Sequence, residues 1–305
     1  MAPNVPESPR TQASTPPTVV AMILVTGATG TIGSEVVRQL AARGEKVRAL
    51  TRDPAKAQFP VEVETARGHH ADRASVEAAM TGAEVAFLVG VFGPDDSAHD
   101  RGLVEAARAA GVRRIVKLSG IGTGDPAVGP VGTWHVTGEQ AVRDSELEWT
   151  ILRPSAFASN TLGWAPSVRS GSPNPNTSGT GGQGVVDPRD VSEAAVAALL
   201  DPAHSGRTYT LTGPEVLSVP DQAAVLAGVL GRPVEVRDLS SAEAREYLLG
   251  LGFSDTFIDA SEISREFVRD GGNEVVTGDV REVLGRSART YREWVQDHRA
   301  AFGEG

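Results

Sequence analysis

The chain contains no cysteine. Disulfides, thiolate zinc sites and cysteine nucleophiles are therefore excluded, and the absence fits a reducing compartment. An excess of basic charge is missing as well. The formal net charge is −10 at pH 7, which argues against a surface that binds nucleic acid directly. No apolar run approaches the roughly 20 residues that a membrane-crossing helix needs. Lysine is scarce: Lys46, Lys56 and Lys117 are the whole complement. His69 and His70 adjoin each other, but no further metal ligands can be identified beside them, so no metal is expected. These absences together predict a cytoplasmic protein that works on a small molecule, without membrane or nucleic-acid partner, as monomer or homodimer.

What is present is a strong alternation of strand-like and helix-like segments. A length of 305 residues allows one large α/β domain with an attached lobe. Residues 1–20 are rich in Pro, Ser and Thr up to about Thr18 and lack an apolar core, so they read as a disordered tail rather than a signal peptide. Strands are expected at 23–26, 46–50, 61–66, 85–89, 114–118 and 148–152. Helices are expected between them, at 74–80, 96–110 and 131–145. Near-continuous apolar strands separated by helices indicate a doubly wound parallel sheet of Rossmann type. Residues 171–184 are almost free of apolar side chains and read as a flexible loop, either a binding lid or a disordered insertion. Residues 185–191 lead into a helix that runs to Leu200 with Asp190 as its N-cap, and a strand at 207–211 follows. From Ser218 onward helices dominate (220–230, 241–251, 255–267 and 287–301), with one short strand at 234–237. The expected division is a dinucleotide-binding domain of residues 21–160 and 185–213, and a smaller, mainly helical substrate lobe of residues 161–184 and 214–305.

The chain is organised around Gly27, Gly30 and Gly33, which sit between the first strand and a helical run. Glycines at this spacing permit a tight turn, close approach of a pyrophosphate and close helix–strand packing. The helix N-terminus adds unpaired N–H groups and a favourable dipole. Gly27, Thr29, Gly30, Thr31, Ile32 and Gly33 are thus the first cofactor-binding candidates. Arg52, at the end of the second strand, suits a 2′-phosphate, so NADP(H) is favoured over NAD(H); the adjacent Asp53 keeps NAD(H) open. Asp72 is placed either to touch adenine or to cap the next helix. Val89 and Gly90 end the fourth strand and complete the cofactor side.

Several stretches together resemble one family. They are the glycine run at 25–33, Ala-Leu-Thr-Arg-Asp-Pro at 49–54, Val-Lys-Leu-Ser-Gly at 116–120, Trp-Thr-Ile-Leu-Arg-Pro at 149–154, Asp-Pro-Arg-Asp-Val at 187–191 and Ala-Arg-Thr-Tyr-Arg-Glu-Trp at 288–294. Over about residues 22–300 the chain looks like the NmrA-like, atypical branch of the short-chain dehydrogenase/reductase superfamily, which includes NADPH-dependent quinone reductases. The resemblance implies a Rossmann fold, a nicotinamide cofactor and a small C-terminal substrate lobe. One motif departs from it. Typical superfamily members use Tyr-x-x-x-Lys, but Tyr209, Tyr247 and Tyr291 are followed four residues on by Gly213, Leu251 and Val295.

On the helix where that pair would lie, His135 and Glu139 stand four residues apart and share a face. They are the candidate acid–base pair, with Glu139 hydrogen-bonded to His135; lining the substrate pocket is the other role open to His135. Ser119, ending the fifth strand, either orients the reacting carbonyl or bonds only to backbone or ribose. Lys117 either reaches the ribose or forms a structural ion pair. Pro154 stiffens the segment that flanks the nicotinamide, and Phe92, Phe157, Asn160 and Trp164 are the substrate-side candidates. The function expected is hydride transfer from NADPH to a quinone, enone, imine or ketone. The alternatives are a non-enzymatic NAD(P)H sensor and a redox-neutral isomerase, dehydratase or cyclase.

Overall fold

A computed structural model of the chain describes residues 21–90, 93 and 97–303. The expected tail, residues 1–20, and Phe92 lie outside them. The first half alternates strand and helix: β1 (Met22–Val25), α1 (Thr31–Ala42), β2 (Lys46–Thr51), β3 (Glu64–Arg67), α2 (Arg73–Met80), β4 (Val85–Leu88), α3 (Ser97–Ala109) and β5 (Arg114–Leu118). A 3-10 segment (Pro126–Thr133), α4 (Val136–Arg143) and β6 (Glu148–Pro154) follow. Beyond a second 3-10 segment (Ala158–Trp164) come α5 (Ala165–Ser170), β7 (Asn174–Asn176), α6 (Pro188–Leu200) and β8 (Arg207–Leu211). The remainder is α7 (Val219–Leu230), β9 (Val236–Asp238), α8 (Ser241–Gly250), α9 (Asp255–Arg269), α10 (Asp279–Leu284) and α11 (Tyr291–His298).

Seven strands form one sheet in the order β3-β2-β1-β4-β5-β6-β8, with every pairing parallel. Alternation along each strand splits the core into two layers. Ile23 and Val25 face a cluster with Val36, Leu40 and Val191. Leu24, between them, faces the opposite cluster with Met80, Leu103 and Val142. The sheet is therefore covered on both faces, the Rossmann arrangement. A third cluster, with Leu226, Tyr291, Trp294 and Phe302 at its centre, holds the C-terminal helices together. Serine or threonine capping boxes at Ser218, Ser240 and Thr290 start α7, α8 and α11.

Five local expectations need correction. The third strand is shorter than 61–66, because Val61 is fully solvent-exposed and only Glu64–Arg67 pairs with β2. The helix expected at 131–145 is shorter: residues 131–133 close the 3-10 segment, 134–135 form a turn, and α4 spans only Val136–Arg143. Asp187, not Asp190, caps α6 by accepting from Arg189 N–H. Residues 171–184 are not a free loop, since Asn174 and Asn176 are buried and β7 pairs in parallel with β9. The helix expected at 287–301 is α11 followed by a 3-10 turn (Arg299–Phe302), and α10 precedes it.

Candidate functional site

The chain leaves β1 to build β2 and β3 on one side, then crosses to β4 on the other. Ligands of such sheets bind where the order reverses, beyond the C-terminal strand ends. Thr26 fixes that point: its hydroxyl lies 3.1 Å from Phe87 O and accepts from Val89 N at 2.7 Å, so the ends of β1 and β4 are tied together. A cleft of about 800 Å³ opens there.

Gly27 turns the chain with φ +60°. A Cβ on Gly33 would overlap the Gly27 carbonyl oxygen, so α1 abuts the turn directly. Gly30 is the N-cap of α1 and provides no side-chain cap. The first-turn N–H groups of Thr31, Ile32 and Gly33 have no intrahelical acceptor, and all three residues line the cleft. Uncapped N–H groups at a helix terminus, in a turn too tight for side chains, fit a pyrophosphate. Gly27, Thr29, Gly30 and Val89 line the same region. Gly90 does not, because its Cβ position is filled by Leu103 and Asp100.

At one end the cleft is walled by Thr51, Arg52, Gly68, His69 and His70. Arg52 is exposed there, whereas Asp53 turns to Lys56 at 3.2 Å. His69 and His70, which follow β3, line this wall together with Gly68 and with Leu50 of β2; the last two carry no signal in the sequence beyond their place at the ends of β2 and β3. Asp72 is not part of that wall. It is exposed and caps α2 through Ser75 N–H at 3.3 Å.

The other end is formed by Leu118, Ser119, His135, Pro154 and Phe157. Here two separate charge systems lie under the surface. In the first, Glu139 is 1% exposed and accepts from Ser119 Oγ at 2.7 Å, Arg143 Nη2 at 2.7 Å, and Arg153 Nε and Nη2 at 2.8 and 2.6 Å. Burial pushes its carboxyl up, but the hydrogen bonds from Arg153, Ser119 and Arg143 outweigh that and hold it below the usual range. In the second, Lys117 Nζ meets Asp100 Oδ2 at 2.5 Å, both side chains 1% exposed. His135 Nδ1 lies 3.4 Å from Lys117 Nζ and 3.5 Å from Asp100 Oδ2.

The structure thus corrects the expected His135–Glu139 pair. Both residues are near the cleft end, but the Glu139 carboxylate is taken up by two guanidinium groups, and His135 turns to β5 and α3 instead. Lys117 is held behind His135 and does not line the cleft. Asn160 is exposed and Trp164 packs against the C-terminal apolar cluster, so neither lines it. Among the described residues no tyrosine does. Tyr209 meets His204 Nδ1 at 2.9 Å, and buried Tyr291 donates to Thr161 Oγ1 at 2.8 Å. Trp134, next to His135 in the chain, and Phe257 have rings 5.4 Å apart, and Phe253 stacks on Phe257 at 4.6 Å.

Among the described residues no group of side chains could hold a metal ion, and no helix is long and apolar enough to cross a membrane. A family model described as NAD(P)H-binding matches residues 27–202. The chain is 41% identical to a (4-alkanoyl-5-oxo-2,5-dihydrofuran-3-yl)methyl phosphate reductase of Streptomyces griseus, over 92% of this chain and 99% of that one. It is 35% identical to an NAD(P)H azoreductase of Xenophilus azovorans, over 92% and 99% of the two chains. A solved NADPH complex of an NADPH-dependent quinone oxidoreductase from Escherichia coli superposes with a TM-score of 0.80 at 26% identity, covering 91% of this chain and 100% of that one. The chain belongs to this NAD(P)H-binding family, within the atypical short-chain dehydrogenase/reductases, a family of oxidoreductases.

Proposed function

We infer that the protein is an NADPH-dependent reductase of a small organic acceptor with a conjugated carbonyl, quinone or imine function. One observation carries the reading: a single cleft runs from Arg52 and His69, past the uncapped start of α1, to Ser119, His135 and Phe157. Its lining suits an adenosine end, a pyrophosphate cradle and a reaction end in that order. Arg52 makes no ion pair with a described residue and is placed to meet a 2′-phosphate, which supports NADP(H) over NAD(H). A bound reduced nicotinamide supplies hydride. The protein's share is to fix the acceptor beside it, with Phe157 as an apolar wall and His135 at hydrogen-bonding range of the developing negative charge. Residues 161–184 and 214–305, with the Trp134–Phe257–Phe253 aromatic group, form the acceptor side. The named activities of the relatives, on a butenolide phosphate, an azo compound and quinones, support an acceptor of this chemistry.

The test is turnover. Purified protein is mixed with NADPH and a panel of quinones, enones, imines and ketones, and loss of reduced-nicotinamide absorbance is followed. Oxidation that falls by about tenfold or more in His135→Ala supports the reading. Tight NADPH binding with no oxidation across the panel would overturn it. Arg52→Ala should weaken NADPH by ~10–100-fold through loss of charge-assisted hydrogen bonds, with NADH little changed. Equal losses would sink the 2′-phosphate assignment.

A further inference from the structure

Lys117 and Asp100 form a buried ion pair directly behind the cleft-facing histidine, and neither lines the cleft. The pair has an evident consequence for the ring. An ammonium group has three hydrogens and no lone pair. At Lys117 two of the three are taken, by Asp100 Oδ2 at 2.5 Å and by Leu118 O at 2.8 Å. The third has His135 Nδ1 in front of it at 3.4 Å. With Lys117 only 1% exposed, water cannot take that hydrogen instead. A buried charged donor left without an acceptor costs more than a neutral one, so Nδ1 must offer its lone pair.

The opposing arrangement has Nδ1–H donating to Asp100 Oδ2 at 3.5 Å. It would aim a hydrogen at the ammonium and orphan the third Lys117 donor. Oδ2 already holds Lys117 a full ångström closer. No other charged side chain competes for the ring within α4, because Glu139 is engaged by Arg153, Arg143 and Ser119.

We propose that the buried Asp100–Lys117 pair fixes His135 in the tautomer protonated on Nε2, so that the ring presents a hydrogen-bond donor to the cleft. Lys117 and Asp100 are positioning residues; His135 is the group that touches the acceptor. Its role there rests on the reductase reading above, while the tautomer does not. When hydride reaches a conjugated acceptor carbon, the C=C or C=O π pair moves onto the acceptor's oxygen. The Nε2–H of His135 stabilises that negative charge without giving up its proton. Solvent supplies the proton that completes the product, and reduced nicotinamide is the two-electron donor. This assigns the missing Tyr-x-x-x-Lys work to a neutral imidazole held from behind by a lysine on a strand.

Two measurements test it. The first uses apo protein labelled with 15N-histidine at about pH 8, above the ordinary histidine range near 6.5. Long-range 15N–1H correlation should show His135 bearing its proton on Nε2 with Nδ1 bare. A proton on Nδ1 overturns the proposal, whatever the activity. Lys117→Met removes that donor and should move the proton to Nδ1, now facing only Asp100, and Asp100→Asn should leave it on Nε2. The wild-type spectrum alone decides the matter if either variant fails to fold. The second measurement compares kcat of His135→Gln and His135→Ala on a turned-over acceptor. Gln keeps an N–H near the Nε2 position but cannot act as an acid, so it should retain about tenfold more activity than Ala. Equal losses overturn the donor role. A wild-type spectrum with the expected tautomer but no turnover on any acceptor would retain the tautomer and refute the reductase reading.

Discussion

Alanine at Gly33 and alanine at Gly30 should both impair cofactor binding, but for different reasons that separate in the apo protein. A Cβ on Gly33 would overlap Gly27 O and lie 2.7 Å from the Gly27 carbonyl carbon and 3.1 Å from Ala28 Cα. These are backbone atoms of the turn, so no rotamer change relieves them and α1 must move off β1. Overpacking of this kind costs about 1–3 kcal/mol, and backbone against backbone belongs at the upper end. For a domain of this size about 3 kcal/mol lowers Tm by roughly 6 °C. A displaced α1 also loses at least one N–H bond to a charged phosphate, worth about 1.5–3 kcal/mol, or ~10–150-fold in NADPH affinity. Gly30 differs. Its φ is −83°, which any residue adopts, and its Cβ would meet only Gly27 O, at 3.3 Å. The new methyl otherwise enters the cleft. Gly30→Ala should therefore melt within about 1 °C of wild type, since its cost stays near ~0.5 kcal/mol, yet lose affinity by about tenfold as the methyl stands where a phosphate sits. The assay is a thermal melt without cofactor, paired with NADPH titration by nicotinamide fluorescence. An unchanged melt for Gly33→Ala would refute the packing argument. Wild-type NADPH affinity in Gly30→Ala would refute the placement of the pyrophosphate.

Three further outcomes follow from buried polar groups. Glu139→Gln should cost about 3 kcal/mol at neutral pH, because it leaves two guanidinium groups facing a neutral amide. The Glu139 carboxyl is pushed up by burial but held lower overall by Arg153, Ser119 and Arg143. A depressed native value gives stability that is complete above the unfolded range near 4.3 and lost as pH falls through the native value. The wild-type advantage in urea midpoint should thus close on acidification below about pH 4, and a gap that persists there would contradict the assignment. Asp190→Ala removes a fully buried carboxylate that accepts from Arg286 Nη2 and Arg289 N, both at 2.7 Å. It should cost about 3–5 kcal/mol and raise hydrogen exchange in α10 and α11; unchanged exchange would show that these contacts do not anchor the C-terminal helices. Tyr291→Phe should cost about 1 kcal/mol by breaking the bond to Thr161 and leave turnover within about twofold, whereas a tenfold fall would bring a tyrosine back into the chemistry.

The parallel sheet and the glycine cradle were legible in the sequence because both are written locally. An apolar run such as Val85–Leu88 is buried at every position, and glycine spacing reports a turn directly. Strand β5 falls at its expected bounds for the same reason. Elements whose partners are remote were not legible. Strand β7 is Asn-Pro-Asn and has no apolar signal. It exists because Asn174 N and Nδ2 both donate to Glu235 O, 61 residues away. Helix α10 is six residues long, too short for periodicity to show. Its place is set by Asp279, which accepts from Thr210 N at 2.6 Å on strand β8. Gly90, just past the fourth strand, faces Leu103 and Asp100 rather than the cofactor side, because position at a strand end does not say which face is occupied.

The pairing of His135 with Glu139 failed for a reason that bears on mechanism. Spacing of four residues places two side chains on one helix face, but it does not choose between them and other partners. Arg153 enters from β6 and offers two parallel donors to Glu139, stronger than any bond a neutral imidazole supplies. Lys117 enters from β5, and Asp100 from α3, to meet His135. Strands β5 and β6 are adjacent, with Lys117 paired to Ile151 and Leu118 to Leu152 in register. Their ends therefore bring two opposite-charge systems side by side without merging them. One holds Ser119 through Glu139; the other holds His135 through Lys117. A perturbation of Glu139 should consequently disturb Ser119 and the β6 exit while leaving the His135 tautomer intact, and a perturbation of Lys117 should do the reverse. A double variant, Glu139→Gln with Lys117→Met, should show additive losses in kcat within about 0.5 kcal/mol. Strong coupling between the two would mean that His135 and Ser119 work as one unit after all.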